Sequence, residues 1–376
     1  MDGATLVQKG LQDVMATESR ICFIDGKQGR LIYRGYDIRE LADHSTFEEV
    51  AFLLWNGRLP KAVELSELSA RLGARRAIPA PLQNQIDSLP TDAHPMDVLR
   101  TAVSSFATYA PGETKPDASA IGGAERLTAA IPTILGTFHR RRRGMVDLRP
   151  RPELTTAAYL LYAILDRDPT ELETRAMDVA LILHADHELN ASTFAARVTA
   201  STLSDLYSAV TSAVGTLKGP LHGGANERVN ALLNEIGTPD RAEEVVKAKL
   251  ARKERLMGFG HRVYKVEDPR ATILREWSRR LGQAKGDLHY YNLLRELETV
   301  VFREKGLYPN VDLYSGSVYA LFGIPSDLFT PIFAASRVAG WTAHVLEEYQ
   351  DQRLIRPMAK YVGPVDLPYV PIAQRH

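Results

Sequence analysis

The stretch Asp268-Pro269-Arg270-Ala271-Thr272-Ile273-Leu274-Arg275-Glu276-Trp277-Ser278-Arg279-Arg280-Leu281 sets the character of the whole chain. Asp268 is a helix-capping residue and Pro269 suits the first helical position, where its missing N–H costs nothing. Ile273, Leu274, Trp277 and Leu281 then recur at the 3.6-residue period and form an apolar stripe. The same period appears at Phe47, Val50, Ala51 and Leu54. That run follows Ser45-Thr46 as capping residues and stops at Asn56-Gly57. Met177, Ala180, Leu181 and His184 repeat it, as do Val229, Leu232, Leu233 and Ile236 before Gly237. Leu293, Leu294, Leu297, Val300 and Val301 make one further stripe. Strict alternation is rare. Arg20-Ile21-Cys22-Phe23-Ile24 and Arg30-Leu31-Ile32-Tyr33 flank Asp25-Gly26-Lys27-Gln28-Gly29 and predict a small hairpin near the N-terminus. The fold class expected is all-α, with one or two minor hairpins.

Composition narrows function by exclusion. The 376 residues are 45% hydrophobic and 24% charged, ordinary values for a globular chain with a substantial core. Lys plus Arg and Asp plus Glu both total 46, so no global charge steers the chain to nucleic acid or to a membrane surface. Positive charge for an anionic ligand has to be local. The single cysteine, Cys22, excludes an intramolecular disulfide and a multi-cysteine metal site. Met1 to Glu18 lacks the basic-then-apolar layout of a signal peptide, and no apolar run reaches the about 18 residues of a membrane span. A cytoplasmic protein is expected. Pro111 to Ala124 and the basic run Arg140 to Arg143 read as surface connections, the latter a solvated helix end rather than a nucleic-acid patch.

Of ten histidines, His44, His94, His139, His289, His344 and His376 read as structural or solvent-facing. The others sit in clusters. Lys218-Gly219-Pro220-Leu221-His222-Gly223-Gly224-Ala225-Asn226-Glu227 places His222 in a glycine-flanked turn before a helix start. Free backbone N–H groups and the dipole there oppose an added proton, so a neutral His222 is able to donate a hydrogen bond to a carbonyl. The alternative is a histidine that caps the helix. Gly258-Phe259-Gly260-His261-Arg262-Val263-Tyr264-Lys265, followed by Asp268-Pro269-Arg270, has two glycines that allow close backbone approach and three nearby cations. It reads as a phosphate-binding loop or as a flexible basic loop, and it matches no nucleotide-binding pattern. In Tyr308-Pro309-Asn310-Val311-Asp312-Leu313-Tyr314-Ser315-Gly316, Asp312 lies between apolar neighbours. Desolvation would raise its pKa and make it a better base; the alternative is a cap on a following helix. His184-Ala185-Asp186-His187-Glu188 offers a weak metal reading, without HExxH spacing or an obvious third ligand set.

Taken together and in order, these segments resemble the citrate synthases of the shorter bacterial and archaeal type. The resemblance runs from Ile24-Asp25-Gly26 and Tyr33-Arg34-Gly35 through His187-Glu188, Asn190-Ala191-Ser192-Thr193 and Gly219 to Glu227. It continues through Gly258 to Lys265, Asp268-Pro269-Arg270, Pro309-Asn310-Val311-Asp312, Ser336-Arg337 and Arg356-Pro357. Only about Pro111 to Pro150 has no counterpart. The resemblance implies a two-domain helical fold, with a large domain over 1–222 and 315–376 and a small one over 223–314 that closes over the site. It implies condensation of acetyl-CoA with oxaloacetate, with His222, His261 and Asp312 catalytic and no metal or cofactor beyond the CoA thioester substrate. His187, His261, Arg270, Arg337 and Arg356 would bind oxaloacetate, Arg356 arriving from the partner chain of a homodimer. Gly258, Phe259, Gly260, Arg262 and Lys265 would bind CoA. Two other readings stand beside it: a 2-methylcitrate synthase using propionyl-CoA, and a non-catalytic helical scaffold.

Overall fold

A computed structural model describes residues 8–11 and 14–375; His376 and the first residues of the polar N-terminal stretch lie outside the described residues. Strands β1 (Cys22–Asp25), β2 (Arg30–Tyr33) and β3 (Tyr36–Asp37) form a small antiparallel sheet in that order. The register pairs Cys22 with Tyr33 and Asp25 with Arg30, as the hairpin reading expects. The short β3 is additional; two residues carry no readable alternation.

Helices account for nearly everything else. In chain order they are α1 (Ile38–His44), α2 (Phe47–Asn56), α3 (Ala62–Ala74), α4 (Ala80–Ser88), α5 (Pro95–Phe106), α6 (Ile121–Arg143), α7 (Thr156–Leu165) and α8 (Glu171–His184). There follow α9 (Ala191–Ala200), α10 (Leu206–Leu217), α11 (Ala225–Ile236), α12 (Ala242–Ala251), α13 (Pro269–Lys285), α14 (His289–Lys305), α15 (Val311–Phe322) and α16 (Phe329–Gln350). The caps are those the sequence offers. Thr46 accepts from the Glu49 N–H while Glu49 reaches back to Thr46, and α2 ends on Gly57 at φ 75°. Asp268 accepts from the Arg270 N–H ahead of Pro269.

Two long helices, α6 and α16, are buried along almost their whole length and pack on each other. Burial on all sides removes the amphipathic stripe by which a helix is read. Pro132, inside α6, and the pair Gly122-Gly123 at its start hide it further. The basic run is therefore not a surface connection. It forms the last turn of α6, where Arg140 is buried. Its guanidinium donates to the carbonyls of Ala163 (2.9 Å) and Tyr162 (2.6 Å) and pairs with Asp166. Arg142 likewise pairs with Asp327. Pro111 to Ala124 is two short 3-10 turns (Pro111–Glu113 and Ala118–Ala120) running into the first turn of α6, and Ala120 and Ala124 are buried.

Helices α11 to α15 pack on one another and meet the rest where α13 touches α1 and α8, α11 touches α16 and α15 touches α8. One apolar core runs through both groups, from Ile21 to Leu346. Among the described residues no helix is long and apolar enough to cross a membrane. Past α16 the chain extends without helix from Gln352 to Pro371, and nearly every side chain there is exposed.

Candidate active site

A cavity of about 930 Å³ opens where five segments converge: the α8–α9 loop, the turn before α11, the loop at 254–263, and the first turns of α13 and α15. Phe333 and Arg337 of α16 close its inner wall. His187, His222, His261, Arg270, Asp312, Arg337, Gly258, Phe259, Gly260 and Arg262 all line it. Lys265 does not; its ammonium turns back to the Arg262 carbonyl (3.3 Å). Arg356 lies on the exposed C-terminal extension, away from the cavity of its own chain.

The α8–α9 loop is short because α8 stops at His184 and Asn190 caps α9, accepting from the Thr193 N–H at 3.2 Å. It lies directly on α16: a Cβ at Gly340 would sit 2.3 Å from the Ala185 carbonyl oxygen. The buried Asp186 pairs with His344 (3.4 Å), and the Tyr33 hydroxyl both donates to the Asp186 carbonyl (2.7 Å) and accepts from its N–H (3.1 Å). Glu188 adopts a left-handed backbone at φ 53°, which turns His187 into the cavity. The His187 ring meets His261 edge-on at 5.1 Å and approaches the Tyr264 hydroxyl at 3.4 Å. Burial, then Arg270 and His261, hold its pKa well below the usual histidine value.

His222 sits in the turn the sequence predicts, ahead of α11. Gly223 is required there, since a Cβ would come within 2.5 Å of Leu217. The Ser192 N–H donates to His222 Nε2 at 3.3 Å, and the Ser192 hydroxyl lies 2.8 Å from the same nitrogen. Nε2 is thus an acceptor, so the neutral ring carries its proton on Nδ1. Its pKa is pushed down to about 4 by burial and then by Arg337.

His261 follows two left-handed glycines, Gly258 (φ 85°) and Gly260 (φ 73°). A Cβ at Gly258 would meet Leu313 at 2.8 Å, so this glycine allows close packing onto α15. Gly260 N–H donates to Tyr308 O (2.8 Å), Asn310 N–H to Gly258 O (2.9 Å) and Asn310 Nδ2 to Gly260 O (2.9 Å). The loop of His261 and the start of α15, with Asp312, form one hydrogen-bonded unit. His261 Nδ1 accepts from the Val263 and Tyr264 N–H groups, which leaves the proton on Nε2. Burial, then Arg270, lowers its pKa to about 4.

Asp312 stands in the first turn of α15, after the cap Asn310. Its Oδ1 is inaccessible and has no hydrogen-bond partner. Burial pushes the carboxyl up to about 7, against the lowering by Arg270 and Arg337. A proton acceptor with a pKa near the operating pH is what general-base catalysis requires.

The two arginines are prepared differently. Arg270 gives Nε (3.0 Å) and Nη2 (2.8 Å) to Asp268, leaving Nη1. Arg337 gives Nε to the His184 carbonyl (2.6 Å), while Nη1 is buried without a partner. Burial lowers its pKa to about 10. An unpaired buried guanidinium is costly, and a bound anion would relieve it. At the rim, Arg255 and Lys305 line the cavity beside Arg262, and no carboxylate pairs with any of the three among the described residues. Sequence reading passed over Arg255, Lys305, Ser192 and Tyr264. The last two lay inside quoted motifs, but nothing in spacing shows that Ser192 fixes a histidine tautomer. Among the described residues no three His, Cys, Asp or Glu side chains gather as a metal-ligand set.

The cavity thus gathers a buried carboxyl group, neutral histidines and two buried arginines on an all-α fold. Residues 10–358 match the family model described as citrate synthase, C-terminal domain. A citrate synthase of Haloferax volcanii is 48% identical over 98% of this chain and 99% of its own length. A 2-methylcitrate synthase of Shewanella oneidensis is 42% identical over the full length of both. The solved citrate synthase of Thermoplasma acidophilum, a ternary complex with carboxymethyl coenzyme A and oxaloacetate, superposes at a TM-score of 0.93. It is 38% identical, with 98% of this chain and all of that one covered. The chain belongs to the citrate synthase family.

Proposed function

We propose that this chain condenses acetyl-CoA with oxaloacetate and hydrolyses the citryl-CoA formed, giving citrate and CoA. The observation that carries the reading is Asp312: a base near neutrality, with a free buried oxygen, in one cavity with the two histidines. Asp312 takes a proton from the thioester methyl group. His222 donates from Nδ1 to the thioester oxygen, where the enolate charge develops. The enolate carbon attacks the oxaloacetate carbonyl, which His261 polarises from Nε2 and whose alkoxide it protonates. Water then cleaves the thioester; CoA leaves as the thiol and citrate takes the oxygen.

Oxaloacetate would be held by Arg270, Arg337 and His187. A third guanidinium, Arg356, would come from a second copy of the chain. The support is the C-terminal extension, whose Met358 (91%), Val362 (87%) and Tyr369 (82%) are exposed on a chain that leaves them nothing to cover. For the anionic CoA, the unpaired Arg255, Arg262 and Lys305 at the rim supply local positive charge, with Gly258 to Gly260 along the chain of the ligand. Lys265 belongs to the same loop but faces away. We take α11 to α14 with the first turn of α15 as the small domain, over 223–314, closing on the rest, and the cytoplasm as the site of action. No cofactor enters this scheme.

A second reading, propionyl-CoA as substrate, is favoured by the full-length likeness to a 2-methylcitrate synthase. One methylene alters selectivity by only about 1–3 kcal/mol. Thiol release with oxaloacetate and each acyl-CoA in parallel tests both. A higher kcat/KM with acetyl-CoA is expected; a strong preference for propionyl-CoA overturns the first reading, and release with neither overturns both.

A further inference from the structure

The N-terminal hairpin touches both loops that carry the cavity's facing histidines. At its turn, the Gly26 carbonyl accepts from the Lys265 N–H at 2.8 Å. A Cβ on Gly26 would lie 2.3 Å from the Val263 carbonyl oxygen, an approach only glycine permits. Gly29, left-handed at φ 63°, also packs closely, its absent Cβ lying 2.9 Å from Val266 and 3.0 Å from the Glu267 carbonyl. Between the two gripped residues, Val263 and Lys265, sits Tyr264, whose ring packs on His261 at 4.7 Å and whose hydroxyl reaches His187. Val263 and Tyr264 also give the N–H groups that fix His261 Nδ1. At the other end of the hairpin, Tyr33 holds Asp186, the residue before His187, through both its carbonyl and its N–H.

We propose that the hairpin is a brace that sets the spacing of His187 and His261 and thereby the affinity for the dicarboxylate, with Gly26 and Tyr33 as positioning residues. Neither touches the ligand. Each fixes one wall, and the two walls belong to separate stretches of chain that the thirteen-residue arc from Cys22 to Arg34 spans. An alanine at Gly26 has to push the 263–267 segment outward, and Tyr264 and His261 move with it. A misplacement of about 1 Å costs up to about 10²-fold in rate, and the ligand contacts of His187 and His261 weaken with it.

The inference rests on oxaloacetate being the ligand, and the full-length protein separates the two questions. If wild type releases no CoA from either acyl-CoA with oxaloacetate, the functional reading fails. With wild type active, Gly26→Ala and Tyr33→Phe are compared by steady-state kinetics and by calorimetric titration of oxaloacetate. The brace predicts that KM and Kd for oxaloacetate rise by roughly tenfold in Gly26→Ala and by about threefold in Tyr33→Phe. In Tyr33→Phe, which acts on the His187 wall alone, kcat at saturating oxaloacetate and the acyl-CoA KM should stay within about twofold of wild type. Unchanged oxaloacetate affinity in a folded variant overturns the brace, as does an equal loss in kcat with KM unmoved. Where Gly26→Ala does not fold, Tyr33→Phe, which keeps the ring and removes only the hydroxyl, decides alone.

Discussion

The Ser192 N–H points at Nε2 of His222 across 3.3 Å, and this contact leaves the proton of the neutral ring on Nδ1. The Ser192 hydroxyl, 2.8 Å from the same nitrogen, is itself held by Asn190 Oδ1 and Trp341 Nε1. A histidine so anchored is a fixed donor, and its pKa of about 4 keeps it neutral through the working range.

In the proposed mechanism His222→Ala removes that donor from the place where enolate charge develops. The expected loss in kcat is about 10²–10³-fold, the scale of deleting one oxyanion donor, with a small change in oxaloacetate KM. Thiol-release kinetics check it. A kcat within a few-fold of wild type would show that the contact is only structural.

Asp312→Asn keeps the shape and removes the base, so kcat should fall by about 10²–10⁴-fold. In the unaltered protein the acid limb of kcat/KM should show one ionisation near pH 7, because Asp312 is protonated below its pKa of about 7. His222 and His261, both about 4, stay neutral down to pH 5 and add no second limb there. A flat profile between pH 5.5 and about 7.5 is incompatible with Asp312 as base.

Arg356 can be tested by mixing subunits. Arg356→Ala and Asp312→Asn chains should each be nearly inactive alone. If a partner's arginine completes each site, a mixed dimer restores one intact site, and random pairing returns roughly a quarter of wild-type activity. No recovery on co-refolding or co-expression would place Arg356 in its own chain's site or outside any site.

Arg140→Met probes a residue far from the cavity. It leaves the carbonyls of Ala163 and Tyr162 and the carboxylate of Asp166 without their donor. Orphaned buried acceptors cost about 1–3 kcal/mol each, so the urea midpoint should fall while both KM values stay put.

That arginine also marks where sequence reading fails. Helices such as α2 and α13 were legible because one face is dry and the caps are explicit at Thr46 and Asp268. α6 was illegible because nothing about it is amphipathic: from Gly123 to Arg140 it is buried except at Arg126. In the cavity, His222, His261 and Asp312 stood out through flanking glycines and apolar neighbours. The groups around them did not, since Ser192 meets His222 across 30 residues of chain and Tyr264 meets His187 across 77. Arg255 and Lys305, about fifty residues apart, meet at one rim only because α14 returns beside the loop. Periodicity reports the local element and is silent on such meetings.

Glu188 holds a left-handed backbone at φ 53°, a conformation that costs a residue with a Cβ about 1 kcal/mol or more. Glycine at this position would therefore raise thermal stability while loosening the peptide that aims His187. The protein keeps a reserve of robustness unclaimed beside its ligand, and a screen for heat resistance alone would find Glu188→Gly and discard part of the enzyme's selectivity with it.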